Sequence, residues 1–366
     1  MDNNLAIEKK TWTLIDNEDS ITLKLFAMVC ACLIVFSHGN NLARYGIHAE
    51  NNLLSMGIYA TESFIQSISR IAVPCFFVIA GYLFFMGWDF SWMFFSQKLR
   101  KRTMSVLLPY LVWNVIGYCT YLFGTCISSK VTPVIGWREI AQAVFQHSHN
   151  TVFWFMYELW IFFMLAPAFS LLIRNKKWAL VCLAIGLVLS YPPYTIQTSV
   201  EFLHGGPRAA PMINITSVLF LTLGGFFSLH HYSLSSLREV MPLTRLLVVL
   251  TAIAFQVVEF KFSARCLAFP FIITTALSLW WLCQWCAKRL VDVNILSFPF
   301  MIYAMHPDLQ GGVKSILPRF FTPSPLIALF EYLLSSVGII VGIILFSLLL
   351  RARCNPLYRV LSGGRT

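Results

Sequence analysis

The chain has 366 residues, of which 58% are hydrophobic and only 12% charged, against roughly 25% charged in an ordinary soluble domain. No single core of this size hides that much apolar surface, so a soluble globular domain is excluded and lipid must act as part of the solvent. The net charge of +11 does not point to nucleic acid either, because the basic residues are scattered between apolar runs without a basic stripe or interleaved aromatics.

Residues 1–19 mix Asp2, Glu8, Lys9, Lys10, Asp16, Glu18 and Asp19, show no cleavable signal pattern, and are expected to form a cytoplasmic tail ahead of a signal-anchor helix. A bilayer core about 30 Å thick needs about 20 mainly apolar helical residues. Apolar runs near 20–38, 71–87, 104–124, 152–173, 177–193, 211–230, 243–260, 265–286, 294–315 and 325–350 meet that need. They predict an all-α polytopic bundle of about ten transmembrane helices over 20–350, followed by a cytoplasmic tail at 351–366. Arg174, Lys176 and Lys177 split 152–193 into a tight hairpin, and His306, Pro307 and Asp308 are expected to interrupt 294–315. The longest loops, 39–66, 125–151 and 194–210, fall on the outer side. With the N-terminus inside, eighteen of the 27 Lys and Arg residues lie in cytoplasmic segments, which places both termini in the cytoplasm by the positive-inside bias. No internal repeat or soluble insertion stands out.

Most cysteines lie inside apolar runs, where they act as small hydrophobes. Cys283 and Cys286 form one CxxC, but a single pair with no second pair and no nearby His reads as chance spacing, and no metal site is expected.

Function is sought among ionisable residues inside the membrane, each of which costs several kcal/mol in lipid. His38 ends the first predicted helix near the outer surface, and Arg70 opens the second at that surface. Glu158, within "WFMYELWIFFML", lies roughly 10 Å below it, and His306 lies about 18 Å above the inner boundary. Four groups from four helices in one leaflet point to a polar cavity open to the outside. A His there can act as general base on a hydroxyl, with a carboxylate to orient its ring. An Arg can stabilise charge developing on an acyl oxygen. The set suits acyl transfer to an alcohol, although proton-coupled transporters use the same residue types.

The segments "LKLFAMVCACLIVFSH" and "SRIAVPCFFVIAGYLFF" resemble the opening of the acyltransferase-3 family of membrane acyltransferases. The resemblance continues through "KLRKRTMSVLLPYLVWN", "FWFMYELWIFFMLAPAF", "LFLTLGGFFSL", "FPFMIYAMHP" and "NPLYRVLSGGR", in family order over nearly the whole chain. It looks like the short form, without an appended extracytoplasmic domain. The resemblance implies transfer of an acyl group, usually acetyl from cytoplasmic acetyl-CoA, to a hydroxyl of a cell-surface glycan or its lipid-linked precursor, in the bacterial inner membrane. It makes His38 the leading catalytic candidate and matches Arg70 to the family's Arg in "SRxxVP". It also matches Lys98, Arg100, Lys101 and Arg102 to the family's basic cluster, a group suited to the phosphates of CoA, with positive-inside anchoring as the plain alternative. Trp154, Tyr157 and Tyr303 are expected to line a sugar site, or simply to pack. Two departures stand out. Many members carry an Arg eleven residues before the His, where this chain has Ala27 with Lys24 nearest, and their "SGY" reads Ala80-Gly81-Tyr82 here. The rival reading is a transporter or flippase, for which matching repeated halves would be expected.

Overall fold

A computed structural model of the chain describes residues 15–41, 53–128, 135–145, 149–190, 214–262, 268–290, 294–322 and 324–365. Every regular element among the described residues is helical. The first, α1 (Asn17–Gly39), starts where the acidic run of the tail meets the first apolar stretch. Asp16 caps it by accepting from the Asp19 amide at 2.7 Å, and Glu18 and Asp19 sit in its first turn, where the helix dipole favours carboxylates. The helix therefore begins within the last three residues of the expected tail, and residues 1–14 of that tail lie outside the described residues. Then come α2 (Leu53–Ser69), α3 (Ala72–Phe85), α4 (Trp92–Arg102) and α5 (Leu108–Ser128), with a π-turn at Thr103–Leu107 joining the last two. Next are α6 (Trp137–Phe145), α7 (Trp154–Met164), α8 (Ala166–Ile173), α9 (Lys176–Ser190) and α10 (Ile215–Leu229). The chain closes with α11 (Pro242–Phe262), α12 (Ala268–Ala287), α13 (Pro299–Ile316), α14 (Pro325–Leu333), α15 (Ile339–Arg353) and α16 (Asn355–Ser362).

Among the described residues, five helices are long and apolar enough to cross a membrane: Asn17–Gly39, Leu53–Phe85, Trp92–Cys126, Ala268–Ala287 and Pro325–Arg353. A sixth is obtained if α7 and α8, bent by 68° at their junction, count as one span. Ile215–Leu229 and Pro242–Val258 are apolar but shorter.

The structure departs from the sequence reading in the loops. The second half of what was expected to be the loop 39–66 is α2, and α6 lies inside the expected loop 125–151; residues 42–52 and the loop 194–210 lie outside the described residues. Helix α2 escapes a search for apolar runs because its polarity is reversed relative to a soluble helix. Ser55, Glu62, Ser67 and Ser69 are buried, while Leu53, Met56, Tyr59 and Phe64 are exposed, the arrangement a helix adopts when its outer face meets lipid. The break expected at His306–Pro307 is absent, since α13 runs unbroken through Pro307.

The chain divides into two compact units, Met1–Ala27 with Val73–Thr103 and Glu158–Asn294, and Met28–Ala72 with Met104–Tyr157 and Ile295–Thr366. In the first, α3 and α10 approach so closely that glycine is required on both sides. A methyl group on Gly81 would strike the Leu221 carbonyl, and one on Gly224 would strike the Val78 carbonyl. Phe84 stacks on Phe163 with ring centres 4.4 Å apart, and Ile173, Ala179 and Phe226 form a buried cluster. At the start of α1, Arg238 binds Asp16, Glu18 (3.0 Å) and Asp19 (3.1 Å). The Arg238 hydrogen bond holds the Asp16 carboxyl below its usual range. In the second unit, α13 packs against α15 and its own following turn. The indole N–H of Trp113 donates to the Leu361 carbonyl at 2.9 Å, and Phe298 meets Tyr358 edge to face at 6.1 Å.

Candidate functional site

One face of α13 in the second unit carries three polar side chains at four-residue spacing, His306, Gln310 and Lys314, and each meets the last turns of α1. Gln310 donates to the Val35 carbonyl at 2.8 Å and is itself 3% exposed. Lys314 donates to the carbonyls of His38 and Asn40, the latter at 2.9 Å. One turn before Gln310, the His306 ring lies 5.4 Å, centre to centre, from the ring of His38, tilted by 46°. The carbonyls that Lys314 takes up belong to the C-terminal turn of α1, which has no amides of its own to fill them. The same turn is pressed close elsewhere, since a methyl group on Gly39 would collide with the Ser336 hydroxyl. His38 is therefore held by its backbone while its side chain remains exposed.

His306 is fully buried. Its Nδ1 lies 2.8 Å from the Tyr303 carbonyl and 3.1 Å from that of Ile302. Pro307 explains the first contact. A proline has no N–H, so the carbonyl four residues earlier, that of Tyr303, loses its helical partner. The adjacent His306 supplies a donor in its place, and that substitution is why the helix continues. The sequence signal was the His-Pro pair itself, which was read as a break.

The remaining sequence candidates distribute as follows. Arg70 is exposed in the two-residue junction between α2 and α3, with its amide bonded to the Ser67 carbonyl at 3.2 Å. Tyr303 is half-buried, donates its hydroxyl to the Val152 carbonyl, and packs edge-on against Phe153 at 5.6 Å and Phe155 at 6.1 Å. Trp154 meets Phe155, and Tyr157 meets Tyr110 at 6.1 Å. These aromatics form one connected patch in the same unit as the histidine pair.

Glu158 belongs to the first unit, where it is 1% exposed. Its Oε1 accepts from the Asn214 amide at 2.9 Å. Asn214 is the cap of α10 and accepts from the Thr216 amide at 2.9 Å. The carboxylate thus sits at a helix N-terminus, where unpaired amides and the helix dipole favour it. That partner explains how an apolar segment tolerates the charge. Glu158→Ala is expected to destabilise the protein by about 1–3 kcal/mol by leaving the cap amide without an acceptor. Glu158→Gln, which keeps an acceptor oxygen, should unfold on heating close to the parent in a thermal-shift assay. Loss of activity in that Gln variant would mark a chemical role.

The four basic residues, also in the first unit, divide into two kinds. The Lys98 ammonium donates to the carbonyl of Met86 at 3.0 Å and that of Leu83 at 3.5 Å, closing the end of α3. Arg102 lies over the Phe163 ring at 5.3 Å. Arg100 and Lys101 are exposed. The sequence treated all four as equivalent, and the structure gives two of them packing work. Lys24 is exposed and Ala27 half-buried on α1, and nothing in the structure explains the Ala27 departure. Cys283 and Cys286 are free thiols one turn apart on α12, and among the described residues no group of His, Cys, Asp or Glu is arranged to hold a metal.

Comparison with known proteins adds to this geometry. A family model described as an acyltransferase domain, of the acyltransferase-3 type, matches residues 23–352. The "Succinoglycan biosynthesis protein ExoH" of Rhizobium meliloti (strain 1021) is 29% identical over 138 residues, a stretch that is 35% of this chain and 36% of that relative. The chain therefore matches about a third of that relative's length. No solved structure matches the chain.

Proposed function

The chain belongs to the acyltransferase-3 family, whose model covers residues 23–352, and from that premise we propose that it is a membrane O-acyltransferase. It moves an acyl group, acetyl in the first instance, from cytoplasmic acyl-CoA to a hydroxyl of a cell-surface glycan or its lipid-linked precursor. The observation that carries this reading is the histidine pair, one ring exposed and backbone-anchored, the other buried against it. The similarity to a protein of succinoglycan biosynthesis supports a glycan as acceptor.

In the reaction, the acceptor oxygen bonds to the thioester carbonyl carbon and the carbon–sulfur bond breaks. The hydroxyl proton passes to His38 and then to the departing sulfur of CoA. Arg70 steadies the negative charge on the thioester oxygen, and Trp154, Tyr157 and Tyr303 offer faces to the sugar. The protein lies in the bacterial inner membrane with about ten crossings and both termini cytoplasmic. The two-to-one distribution of Lys and Arg supports that orientation, with the bent α7–α8 pair, the two shorter apolar helices α10 and α11, and α9 and α13 as the additional crossings.

The exposed Arg100 and Lys101 bind the phosphates of CoA. Arg100→Ala with Lys101→Ala is expected to raise KM for acetyl-CoA several-fold at unchanged kcat, the pattern of lost uniform binding. Lys98→Ala should instead lower thermal stability, because it uncaps α3. The proposal itself is tested by following free thiol release from acetyl-CoA and, in parallel, succinyl-CoA, with purified protein and a lipid-linked glycan extract. Thiol release dependent on the extract supports it, and none with either donor counts against it.

A further inference from the structure

Two carbonyl oxygens surround Nδ1 of His306, those of Tyr303 at 2.8 Å and Ile302 at 3.1 Å. A carbonyl only accepts, so Nδ1 carries the hydrogen. In a neutral imidazole the other nitrogen, Nε2, then holds a bare lone pair. That nitrogen is buried and has no hydrogen-bond partner among the described residues, a costly arrangement for a polar atom unless something meets it. The His306 ring lies 5.4 Å, centre to centre, from the ring of His38. The register of α13 on α1 is fixed on the next two turns of the same face by Gln310 and Lys314. The tautomer traces to one residue, since Pro307 leaves the Tyr303 carbonyl free for Nδ1 to occupy.

We propose that His306 is a positioning residue: its bare Nε2 accepts a hydrogen bond from the exposed His38 ring once that ring turns toward it, and Pro307 is what keeps that nitrogen bare. The inference rests on the acyltransferase reading and deepens it. His38, donating through one ring nitrogen to His306, presents the lone pair of its other nitrogen to the acceptor hydroxyl. When His38 takes the hydroxyl proton, the hydrogen bond to His306 steadies the resulting imidazolium until the proton leaves with the CoA sulfur. A base oriented by a third group is the logic of a catalytic triad, here with a tautomer-locked imidazole where a carboxylate usually stands. A histidine that only capped the freed carbonyl would not need its second nitrogen.

The test is nitrogen NMR on the full chain in lipid nanodiscs, labelled with 15N-histidine and assigned through His306→Gln. The expected result is an Nδ1–H tautomer for His306 whose Nε2 resonance shifts in His38→Ala. A protonated Nε2, or a resonance indifferent to His38, overturns the inference. A kinetic arm uses Pro307→Ala, which returns an N–H to the Tyr303 carbonyl and so frees His306 Nδ1. With acetyl-CoA as donor, kcat is expected to fall about tenfold at unchanged KM and undiminished thermal stability. Full kcat in that variant leaves His306 only a cap and contradicts the inference. The two readings fail separately: absent turnover by the parent strikes at the acyltransferase assignment, while the tautomer is measured without any substrate.

Discussion

His38→Ala is expected to fold like the parent and to lose acyl transfer by about 10²–10⁴-fold, the usual contribution of a positioned general base. The fold should survive because what holds this turn is main chain. Lys314 binds the carbonyls of His38 and Asn40, Gln310 binds that of Val35, and none of these contacts uses the imidazole. The His38 side chain is exposed, so its removal opens no cavity in a packed core. Thermal unfolding should therefore be unchanged while thiol release from acetyl-CoA falls to background. An inactive variant that also unfolds early would instead assign His38 a structural role, and a fully active one would remove it from the chemistry.

The largest effect on stability is expected at the crossing of α3 and α10. Gly81 and Gly224 each leave no room for a methyl group against the carbonyls of Leu221 and Val78, and a backbone cannot yield as a flexible side chain can. Gly225 faces Phe85 and Ile173 in the same seam, with a methyl group there at 2.6 Å and 3.0 Å from their rings and methyls. Close approach through small residues is how helices associate in lipid, where burial of apolar surface gives no drive between them. Gly224→Val should cost about 1–3 kcal/mol or more by overpacking, read as loss of monodisperse protein on size-exclusion chromatography. Gly311→Ala and Gly312→Ala are the controls. A methyl group at either meets nothing within 4 Å, so these changes should be neutral or slightly stabilising, as a helical Gly→Ala is when the site is open.

The all-helical character of this fold was legible in the apolar runs, because crossing lipid demands uninterrupted length; each expected run overlaps helix, and among the described residues five, or six with the bent α7–α8 pair, are long and apolar enough to cross. What stayed hidden is where polarity faces inward. Helix α2 buries Ser55, Glu62 and Ser67 and turns its leucines outward, so neither a long apolar run nor the inward-facing apolar stripe of a soluble helix marks it. The blocks "AGYLFF" and "LFLTLGGFFSL" were legible as family signatures, but only their crossing shows why their glycines are needed. At the candidate site, His38 and His306 were both picked out as misplaced ionisable groups, and they do come together. The unbroken helix through Pro307 was missed, because a proline shows what it removes while the replacement donor depends on the rotamer of its neighbour. Glu158 was likewise visible as a buried charge, but its partner Asn214 lies fifty-six residues further along, beyond any local pattern.

The most direct test of the acyl-transfer assignment is incubation of the purified full chain with acetyl-CoA labelled in its acetyl group and a lipid-linked glycan extract, with His38→Ala alongside. The acyl-transfer assignment predicts label on the glycan fraction with matching release of free CoA, both absent in the variant. No label on the glycan and no free CoA from the parent protein, with acetyl-CoA or with succinyl-CoA, would contradict it.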